Sequence, residues 1–275
     1  MASGVYPEAF QFPGGEWHLR NIPEFPTDEG RVTLIADVRG ADSNDLIKAA
    51  LWANLAGRAN FSFEARKDLQ FVLMLPYLPA ARADRGVPLG SQVYANIVNA
   101  MWANQVIGLD PHSPVITKQL QRLTVADHHD LVVQAIGEGK PYDALICPDK
   151  GAVARTEALA AWLGVDVYYA EKHRDFDTGK LSGITVPTLP KGRFLVADDI
   201  CDGGGTFLGL AEATGKYPED MGLWVTHGIF SGKADDLRGY YRNIYTTDSH
   251  PGSHRVGVAT TIVPCFHAMF NATHF

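Results

Sequence analysis

The stretch Arg193–Phe207, RFLVADDICDGGGTF, constrains this chain more than any other part of it. Its apolar residues Phe194–Ala197 predict a short buried strand, and Asp198 and Asp199 stand where that strand should end. A tight turn with three successive glycines follows, and a helix is expected from Phe207 onward. Backbone N–H groups of glycines approach an anion closely, and a helix N-terminus adds positive charge. The stretch therefore predicts a site for a sugar phosphate, in which two carboxylates face the vicinal hydroxyls of a ribose.

An ordinary strand–turn–helix of an α/β domain would also contain glycines, simply to make the turn. Three glycines alone do not exclude that interpretation, but their order after the aspartates and before a threonine hydroxyl favours a functional site. The candidate residues for binding the sugar phosphate are Asp198, Asp199, Asp202, Gly203, Gly204, Gly205 and Thr206.

The composition of the whole chain is that of a soluble globular protein. It has 275 residues, 46% hydrophobic and 20% charged, which is enough for one large domain or two of ordinary size. The net charge of −7 and the absence of a dense Lys/Arg run argue against a nucleic-acid partner. No apolar run is long enough to span a membrane, and the N-terminus lacks the form of a signal peptide. We expect a cytoplasmic protein with no membrane partner.

The three cysteines, Cys147, Cys201 and Cys265, form no Cys-x-x-Cys pair, and their odd number does not suggest a disulfide framework. They fit a reducing compartment. Cys201 lies inside the glycine-rich stretch, where we interpret it as a turn residue and not as a nucleophile.

Strands alternate with helices along most of the chain. Apolar runs predict strands at 32–36, 71–75, 105–109, 142–147, 165–169 and 223–225, and apolar spacing predicts helices at 46–58 and 91–104. Residues 114–140 are expected to be helical with polar connections, and Asn44 or Asp45 is the expected cap of the first helix. This alternation predicts an α/β fold with mainly parallel sheets flanked by helices, in two similar domains at residues 1–130 and 131–275.

The glycine-rich stretch resembles the ribose-5-phosphate loop of type I phosphoribosyltransferases and of phosphoribosyl-diphosphate (PRPP) synthetases. Further motifs favour the synthetases, whose resemblance to this chain runs in collinear order over roughly residues 10–250. Thr226–Gly232, THGIFSG, is one of them and closely resembles the family's Thr-His-Gly-x-x-Ser-Gly. The resemblance implies two tandem type I phosphoribosyltransferase-like domains.

Two motifs resemble the segments with which the synthetases bind ATP. Phe12–Glu16 is similar to a Phe-x-Asn/Asp-x-Glu segment that contacts adenine from a neighbouring subunit, although Gly14 replaces the Asn or Asp. Residues 76–85 are similar to Pro-Tyr-x-x-Tyr-Ala-Arg-Gln-Asp-Arg, with Ala83 in place of Gln. A surface turn explains the first segment equally well on its residue types alone. A solvated loop with a local ion pair is the alternative for the second, and the match that continues through Val87–Ala95 favours the functional interpretation. The residues that the resemblance assigns to ATP are Phe12, Glu16, Arg82, Asp84 and Arg85.

Two further residues match positions that serve magnesium in the family. His112 follows a predicted strand in Asp-Pro-His, where the family has Asp-Leu-His, and Asp149 opens a segment similar to Pro-Asp-x-Gly-Gly-x-x-Arg. Taken alone, the two positions are explained equally well by a structural histidine and by a helix cap at the end of a core strand. The resemblance implies that His112 and Asp149 bind Mg²⁺, or that Asp149 faces the anomeric end of the sugar.

Glu171–Lys180 is polar and shows no apolar period, which predicts a mobile flap. Lys172 and Arg174 match the Lys and Arg of the catalytic flexible loop of the synthetases. Two cations on a closing flap would neutralise charge that develops on a transferring diphosphate. A charged hairpin tip in solvent is the alternative, and the residue types by themselves favour it.

The resemblance implies Mg²⁺-dependent transfer of diphosphate from ATP to the anomeric hydroxyl of ribose 5-phosphate, with AMP as the other product. It also implies a homo-oligomer, a dimer or hexamer, whose ATP site spans two subunits. One departure suggests a variant: Gly203 replaces the first Thr of the family's Asp-Thr-Ala/Cys/Gly-Gly-Thr loop. The added space beyond the 5-phosphate would admit ADP-ribose, whose diphosphorylated product would serve to rebuild NAD.

Two other classes of function stay open. A phosphoribosyltransferase that consumes PRPP and a base would explain the glycine-rich stretch but not the other motifs. A non-catalytic regulatory homologue should have lost the flap cations or the metal-binding residues, which this chain keeps. The tail, residues 256–275, departs from the family, and the sequence assigns it no role.

Overall fold

The computed structural model describes residues 7–22, 32–61, 69–139, 141–174, 181–255 and 257–274. It divides into two compact units, the first formed by Met1–Ala126 with Met269–Phe275 and the second by Asp127–Ala268. The division expected from the sequence lay at 130/131 and assigned the C-terminal residues to the second domain, whereas the structure counts Met269–Phe275 with the first unit.

The first unit contains a hairpin and a parallel sheet. Strands β1 (Glu8–Gln11) and β2 (Trp17–Arg20) form the antiparallel hairpin. Strands β3 (Val32–Asp37), β4 (Leu69–Leu75), β5 (Gln105–Leu109) and β6 (Leu123–Ala126) form a four-stranded parallel sheet in that order. Helices α1 (Ser43–Phe61), α2 (Gly90–Asn99) and α3 (Pro114–Gln119) connect the strands. The core is built on β4 and β5, which are almost completely buried, as expected for parallel strands covered by helices.

Two expectations for the first unit were wrong. Helix α1 begins at Ser43 and not near Leu46, because the Asp42 side chain accepts a hydrogen bond from the backbone N–H of Asn44 at 2.7 Å and so caps the helix earlier. The segment 114–140 is not purely helical, since it contains β6. This strand has only four residues and shows no clear alternation of apolar and polar side chains, so its sequence carries little strand signal.

The second unit is built on six parallel strands. In chain order its elements are α4 (His129–Ile136), β7 (Ala144–Cys147), α5 (Val153–Leu163), β8 (Asp166–Tyr169), β9 (Glu171–Arg174), β10 (Leu181–Thr185), β11 (Phe194–Cys201), α6 (Gly205–Thr214), β12 (Met221–Gly228), β13 (Asn243–Thr247), β14 (Thr261–Val263) and α7 (Phe266–Asn271), the last of which runs across the division between the units. The sheet order is β14-β13-β12-β11-β7-β8, and β9 and β10 form a separate antiparallel pair. The predicted α/β fold with parallel sheets is confirmed.

Strand β11 is longer than the apolar run predicted. Its ladder with β12 continues through Asp198 and Ile200 to Cys201, which pairs with Gly228. The two aspartates therefore lie within the strand and not beyond its end, and α6 begins at Gly205, two residues earlier than expected. Hydrogen bonding across the sheet, which the local sequence does not reveal, extends the strand. The loops after β7, β11, β12 and β13 leave the same edge of the sheet, because these strands are parallel.

None of the helices in the described part of the chain is long and apolar enough to cross a membrane.

Candidate active site

In the glycine-rich turn after β11, the backbone requires glycine at one position, Gly204. Gly204 caps α6 with a φ of +79°, in the left-handed region, and a Cβ there would lie 3.2 Å from the Leu237 side chain. Its carbonyl accepts the N–H of Leu208 at 2.9 Å. The first turn of α6 thus points its remaining N–H groups outward at this edge, the arrangement that binds phosphate at helix N-termini.

Asp202 is fixed by the loop that follows β12. The backbone N–H of Ser231 donates to the Asp202 carbonyl at 3.0 Å, and the Ser231 hydroxyl donates to the Asp202 carboxylate. The turn is therefore held at both its backbone and its side chain by a neighbouring loop. Binding a phosphate there needs little rearrangement of the turn.

The acidic pair lies on β11, next to this turn. Asp199 is only 3% exposed, and its backbone N–H donates to Asp198 Oδ1 at 2.9 Å. Arg155 Nη1 of α5 lies 3.5 Å from Asp199 Oδ2. Burial, and then the neighbouring Asp199 charge, raise the pKa of Asp198 well above its usual range, while Arg155 acts in the opposite direction. The Asp199 carboxylate, held beside Arg155, can accept hydrogen bonds from hydroxyls, as recognition of a ribose requires.

Lys172 links the glycine-rich turn to the loop that contains Asp149. Its ammonium donates to Thr206 Oγ1 at 2.8 Å and lies 3.6 Å from Asp149 Oδ2, and its side chain is only 16% exposed. It reaches this position because β9 pairs with β10, which packs against α6. The structure therefore brings three predicted site residues, Lys172, Thr206 and Asp149, into one cluster.

The remaining part of the predicted flap is only partly described. Arg174 is the last residue of β9, and its side chain lies outside the described part of the structure, as do residues 175–180. The mobility of the flap and the role of Arg174 stay predictions.

Asp149 shapes the turn between β7 and α5. Its Oδ1 accepts the N–H of Gly151 at 2.9 Å, and its carbonyl accepts the N–H of Ala152 at 3.1 Å. The other carboxylate oxygen faces Lys172. Asp149 thus builds the turn and presents an oxygen to the site. It is not the cap of α5, since the helix is capped at Ala152 without a side-chain hydrogen bond.

The cysteines beside the site are not nucleophiles. Cys147, Cys201 and Cys265 are buried, and none of the three forms a disulfide. Burial, reinforced by the charges of Asp202 and Asp198, raises the pKa of Cys201 to about 12. Its thiol therefore stays protonated near neutral pH, which supports the interpretation of Cys201 as a structural residue.

In the first unit, Phe12 and Glu16 bracket the tip of the β1–β2 hairpin. The Phe12 N–H donates to the Glu16 carbonyl at 2.8 Å, so a turn leads into a strand as predicted. Phe12 is 47% exposed and its ring lies 4.9 Å from that of Phe10, edge to face. A Cβ at Gly14 would come within 2.6 Å of Glu16 Oε2, so the glycine found here leaves room for the Glu16 side chain.

The arginine-rich motif lies in the loop between β4 and α2. Arg82 and Arg85 are exposed, and Arg85 Nε lies 3.8 Å from Asp84 Oδ1 with 93% of the Arg85 side chain exposed. His112, also exposed, follows the adjacent parallel strand β5. Because both loops follow parallel neighbours, they leave the first unit's sheet at the same edge.

The two residues assigned to magnesium belong to different units, His112 to the first and Asp149 to the second. Within the described ranges, no three or more His, Cys, Asp or Glu side chains form a set that would hold a metal ion. Magnesium needs no such cage, because it keeps several waters and uses one or two carboxylates together with phosphate oxygens of the substrate. The glycine-rich turn Asp202–Thr206 is called the phosphate turn below. The Asp149 carboxylate, which lies near this turn through Lys172, fits that kind of site.

Reasoning from the sequence missed two contacts of the site, Arg155 with Asp199 and Ser231 with Asp202. Both Arg155 and Ser231 lie in motifs that resemble the family's motifs, and this resemblance could have identified them as site residues. Their partners, however, lie far away in the chain. A third contact joins His227 Nδ1 to Ser249 Oγ at 2.8 Å, buried at the ends of β12 and β13.

Comparisons with known proteins agree with this geometry. The family Phosphoribosyl transferase domain matches residues 117–249. A ribose-phosphate pyrophosphokinase of Sulfolobus acidocaldarius is 25% identical over 256 residues, which cover 87% of this chain and 83% of the relative. One from Hyphomonas neptunium is 30% identical over 175 residues, 58% of this chain and 54% of the relative.

The chain is similar to ribose-phosphate pyrophosphokinases over most of its length. The predicted enzyme class, an ATP-dependent diphosphotransferase, is confirmed by this similarity. The crystal structure of phosphoribosylpyrophosphate synthetase from Mycobacterium smegmatis has the same fold as this chain. It superposes with a TM-score of 0.74 at 21% identity over 98% of this chain and 88% of the other. The predicted pair of phosphoribosyltransferase-like domains is consistent with that fold.

Proposed function

We propose that this enzyme transfers the β,γ-diphosphate of ATP to the anomeric hydroxyl of ribose 5-phosphate. The anomeric oxygen forms a bond to the β-phosphorus, the bond from that phosphorus to the oxygen of the α-phosphate breaks, and AMP leaves with that oxygen. The hydroxyl proton is released. The products are PRPP and AMP.

The cluster of Lys172, Thr206 and Asp149 is the observation that carries this proposal. One ammonium touches the phosphate turn through Thr206 and faces Asp149 on the other side. A sugar phosphate placed with its phosphate on the turn and its hydroxyls on Asp198 and Asp199 would direct its anomeric end toward Asp149. Lys172 would then stabilise charge on the diphosphate during transfer, and Arg174 would assist from the same strand. Phosphoryl transfer depends mainly on such positioning and charge stabilisation.

The first unit supplies the candidate groups for ATP. Arg82 and Arg85 would bind the phosphates by charge-assisted hydrogen bonds, with Asp84 orienting Arg85, while Phe12 and Glu16 would contact the base. Mg²⁺, held by Asp149, His112 and phosphate oxygens, would neutralise negative charge on the transferring group.

A second acceptor, ADP-ribose, is favoured by the space beside the phosphate turn. A Cβ at Gly203 would meet only Ser231 Oγ, at 3.9 Å, and a Cβ at Gly205 would meet nothing within 4 Å. Only Gly204, of the three glycines, has a backbone that requires glycine. The other two leave room that a side chain would fill, and a phosphate esterified to a second nucleotide needs such room. The product would be a diphosphorylated ADP-ribose, suited to NAD resynthesis.

We also propose a homo-oligomer, a dimer or hexamer, in which the exposed Phe12–Glu16 turn serves the ATP site of a neighbouring subunit. Light scattering coupled to size-exclusion chromatography gives the number of subunits. A monomer that turns over ATP at full rate would contradict the shared site.

The decisive experiment measures AMP formation from Mg-ATP by purified enzyme, offered ribose 5-phosphate and ADP-ribose in parallel. We expect AMP with at least one acceptor and none without an acceptor. An Asp199→Asn variant should lose most of the activity, whereas Asp166→Asn, an exposed aspartate of the same unit, should keep it.

Each outcome has a distinct meaning. AMP with ribose 5-phosphate supports PRPP synthesis, and AMP only with ADP-ribose supports the second acceptor. AMP with neither contradicts the proposal. Pyrophosphate release from PRPP and a base, without ATP, would point to a phosphoribosyltransferase instead.

A further inference from the structure

Arg155 occupies a position from which it acts on the acidic pair of β11. It is the third residue of α5, a helix that packs against β7, β8 and β11. Its Nη1 lies 3.5 Å from Asp199 Oδ2. Lys172, the other cation of the site, instead contacts Thr206 and faces Asp149. The two cations therefore serve different ends of the site.

The Arg155–Asp199 pair is buried. The side chains are 15% and 4% exposed. Taking two charges out of water costs about as much free energy as their attraction returns, so a buried ion pair is weak evidence for a role in stability. A pair retained at this cost inside a candidate site calls for a functional reason.

Negative charge is concentrated around the pair. Burial, and then the charges of Asp149 and Asp198, raise the pKa of Cys147, while burial and the charges of Asp202 and Asp198 raise the pKa of Cys201. Asp198 also feels Asp199 directly. Neighbouring carboxylates favour protonation of one another, and a protonated carboxyl accepts hydrogen bonds poorly. A fixed cation opposes this effect, and Arg155, anchored on a helix, is a fixed cation.

We propose that Arg155 is a positioning residue of the acceptor site, which holds the Asp199 carboxylate ionised and oriented so that Asp198 and Asp199 receive the two vicinal hydroxyls of the ribose. The inference rests on the proposed function. It adds that Arg155 controls recognition of the ribose hydroxyls of the acceptor. Arg155 itself does not touch the substrate. It acts on the hydroxyl end and leaves recognition of the phosphate unchanged.

Equilibrium binding of two sugar phosphates tests this division. Ribose 5-phosphate and 2-deoxyribose 5-phosphate are titrated calorimetrically into wild type, Arg155→Met, Arg155→Lys and the control Arg193→Met, which changes an exposed arginine of the same unit. Wild type and the control should prefer the ribose compound. Arg155→Met should bind ribose 5-phosphate about tenfold more weakly or worse, as expected on removing one partner of a buried charge pair, with little change for the deoxy compound. The affinity of Arg155→Lys for ribose 5-phosphate should lie between those of wild type and Arg155→Met.

A purely structural role predicts another pattern. Equal losses for both sugars, or unchanged binding by Arg155→Met, would overturn the inference. If thermal unfolding shows that Arg155→Met is not folded, Arg155→Lys decides. An intermediate loss of discrimination between the two sugars then supports the inference, and wild-type discrimination overturns it.

If wild type binds no ribose 5-phosphate, the titrations are repeated with ADP-ribose and its analogue lacking the corresponding hydroxyl. Failure of wild type to bind either acceptor removes the proposed function, and the inference with it. Failure confined to the Arg155 variants removes the inference alone.

Discussion

The two units share one plan but hold their candidate residues differently. In both, parallel strands end at one edge of a sheet, and several candidate residues follow those ends, such as Arg82 after β4 and Asp202 after β11. In the second unit, these residues bond to one another: Lys172 to Thr206, Ser231 to Asp202, and Arg155 to Asp199. In the first unit, Phe12 is 47% exposed and the Arg85 side chain 93% exposed.

This difference suggests a division of work. A network of buried charges and hydrogen bonds costs free energy to build, but it leaves little to rearrange when the acceptor binds. A side chain as exposed as that of Arg85 instead has more freedom to lose when the nucleotide binds. We therefore expect changes in the second unit to impair catalysis strongly, and changes in the first unit to weaken nucleotide binding moderately without affecting folding.

The largest effect is expected for Lys172→Met. Removing one preorganised positive group from a transferring phosphoryl group costs roughly 100- to 1,000-fold in kcat. Steady-state kinetics with saturating ATP measure it, and Lys191→Met, an exposed lysine of the same unit, is the matched control. A loss of less than about tenfold would show that the cluster around Thr206 does not stabilise the reaction, because such a loss is typical of a single ordinary contact.

An intermediate effect is expected for Arg82→Ala and Arg85→Ala. Each should raise the KM for ATP roughly tenfold, the typical value of one charge-assisted hydrogen bond, while the KM for the acceptor stays the same. The melting temperature should not change, because both side chains are exposed. Lys118→Ala, an exposed lysine on α3, is the control. A higher KM for the acceptor, or a lower melting temperature, would break the division between the units.

The smallest effect is a gain of stability in Asp198→Asn. The pKa of Asp198 is raised in the folded chain by burial and by Asp199, so ionising it costs folding free energy. This cost is absent below the ordinary pKa of aspartate, about 3.9, and grows as the pH rises through the raised value. The variant should therefore melt a few degrees above wild type at neutral pH, while losing affinity for the acceptor.

The pH dependence is the check on that cause. The difference in melting temperature between Asp198→Asn and wild type should shrink as the pH is lowered. Asp166→Asn, at an exposed position, should show no such trend. A difference that is the same at every pH would mean that charge is not its origin.

The sequence was most informative where the signal is local. Apolar runs located β4, β5 and β11, because a strand buried on both faces is apolar almost throughout. Local rules failed at β6, whose four residues have a weak pattern, and at the start of α1, where an aspartate outside the expected window caps the helix. They also ended β11 too early, because its last residues are polar and hydrogen bonding to β12 holds them in the strand.

By itself, the sequence determined the α/β class, the glycine-rich turn and the order of the acidic and basic motifs, since each depends on residues that are neighbours in the chain. Only the tertiary structure decided that Arg155 meets Asp199, that Lys172 meets Thr206 and Asp149, and that Ser231 holds Asp202. These partners come together because parallel strands end at one edge of a sheet, and the strand register sets which side chains face each other. A linear pattern carries no information about that pairing.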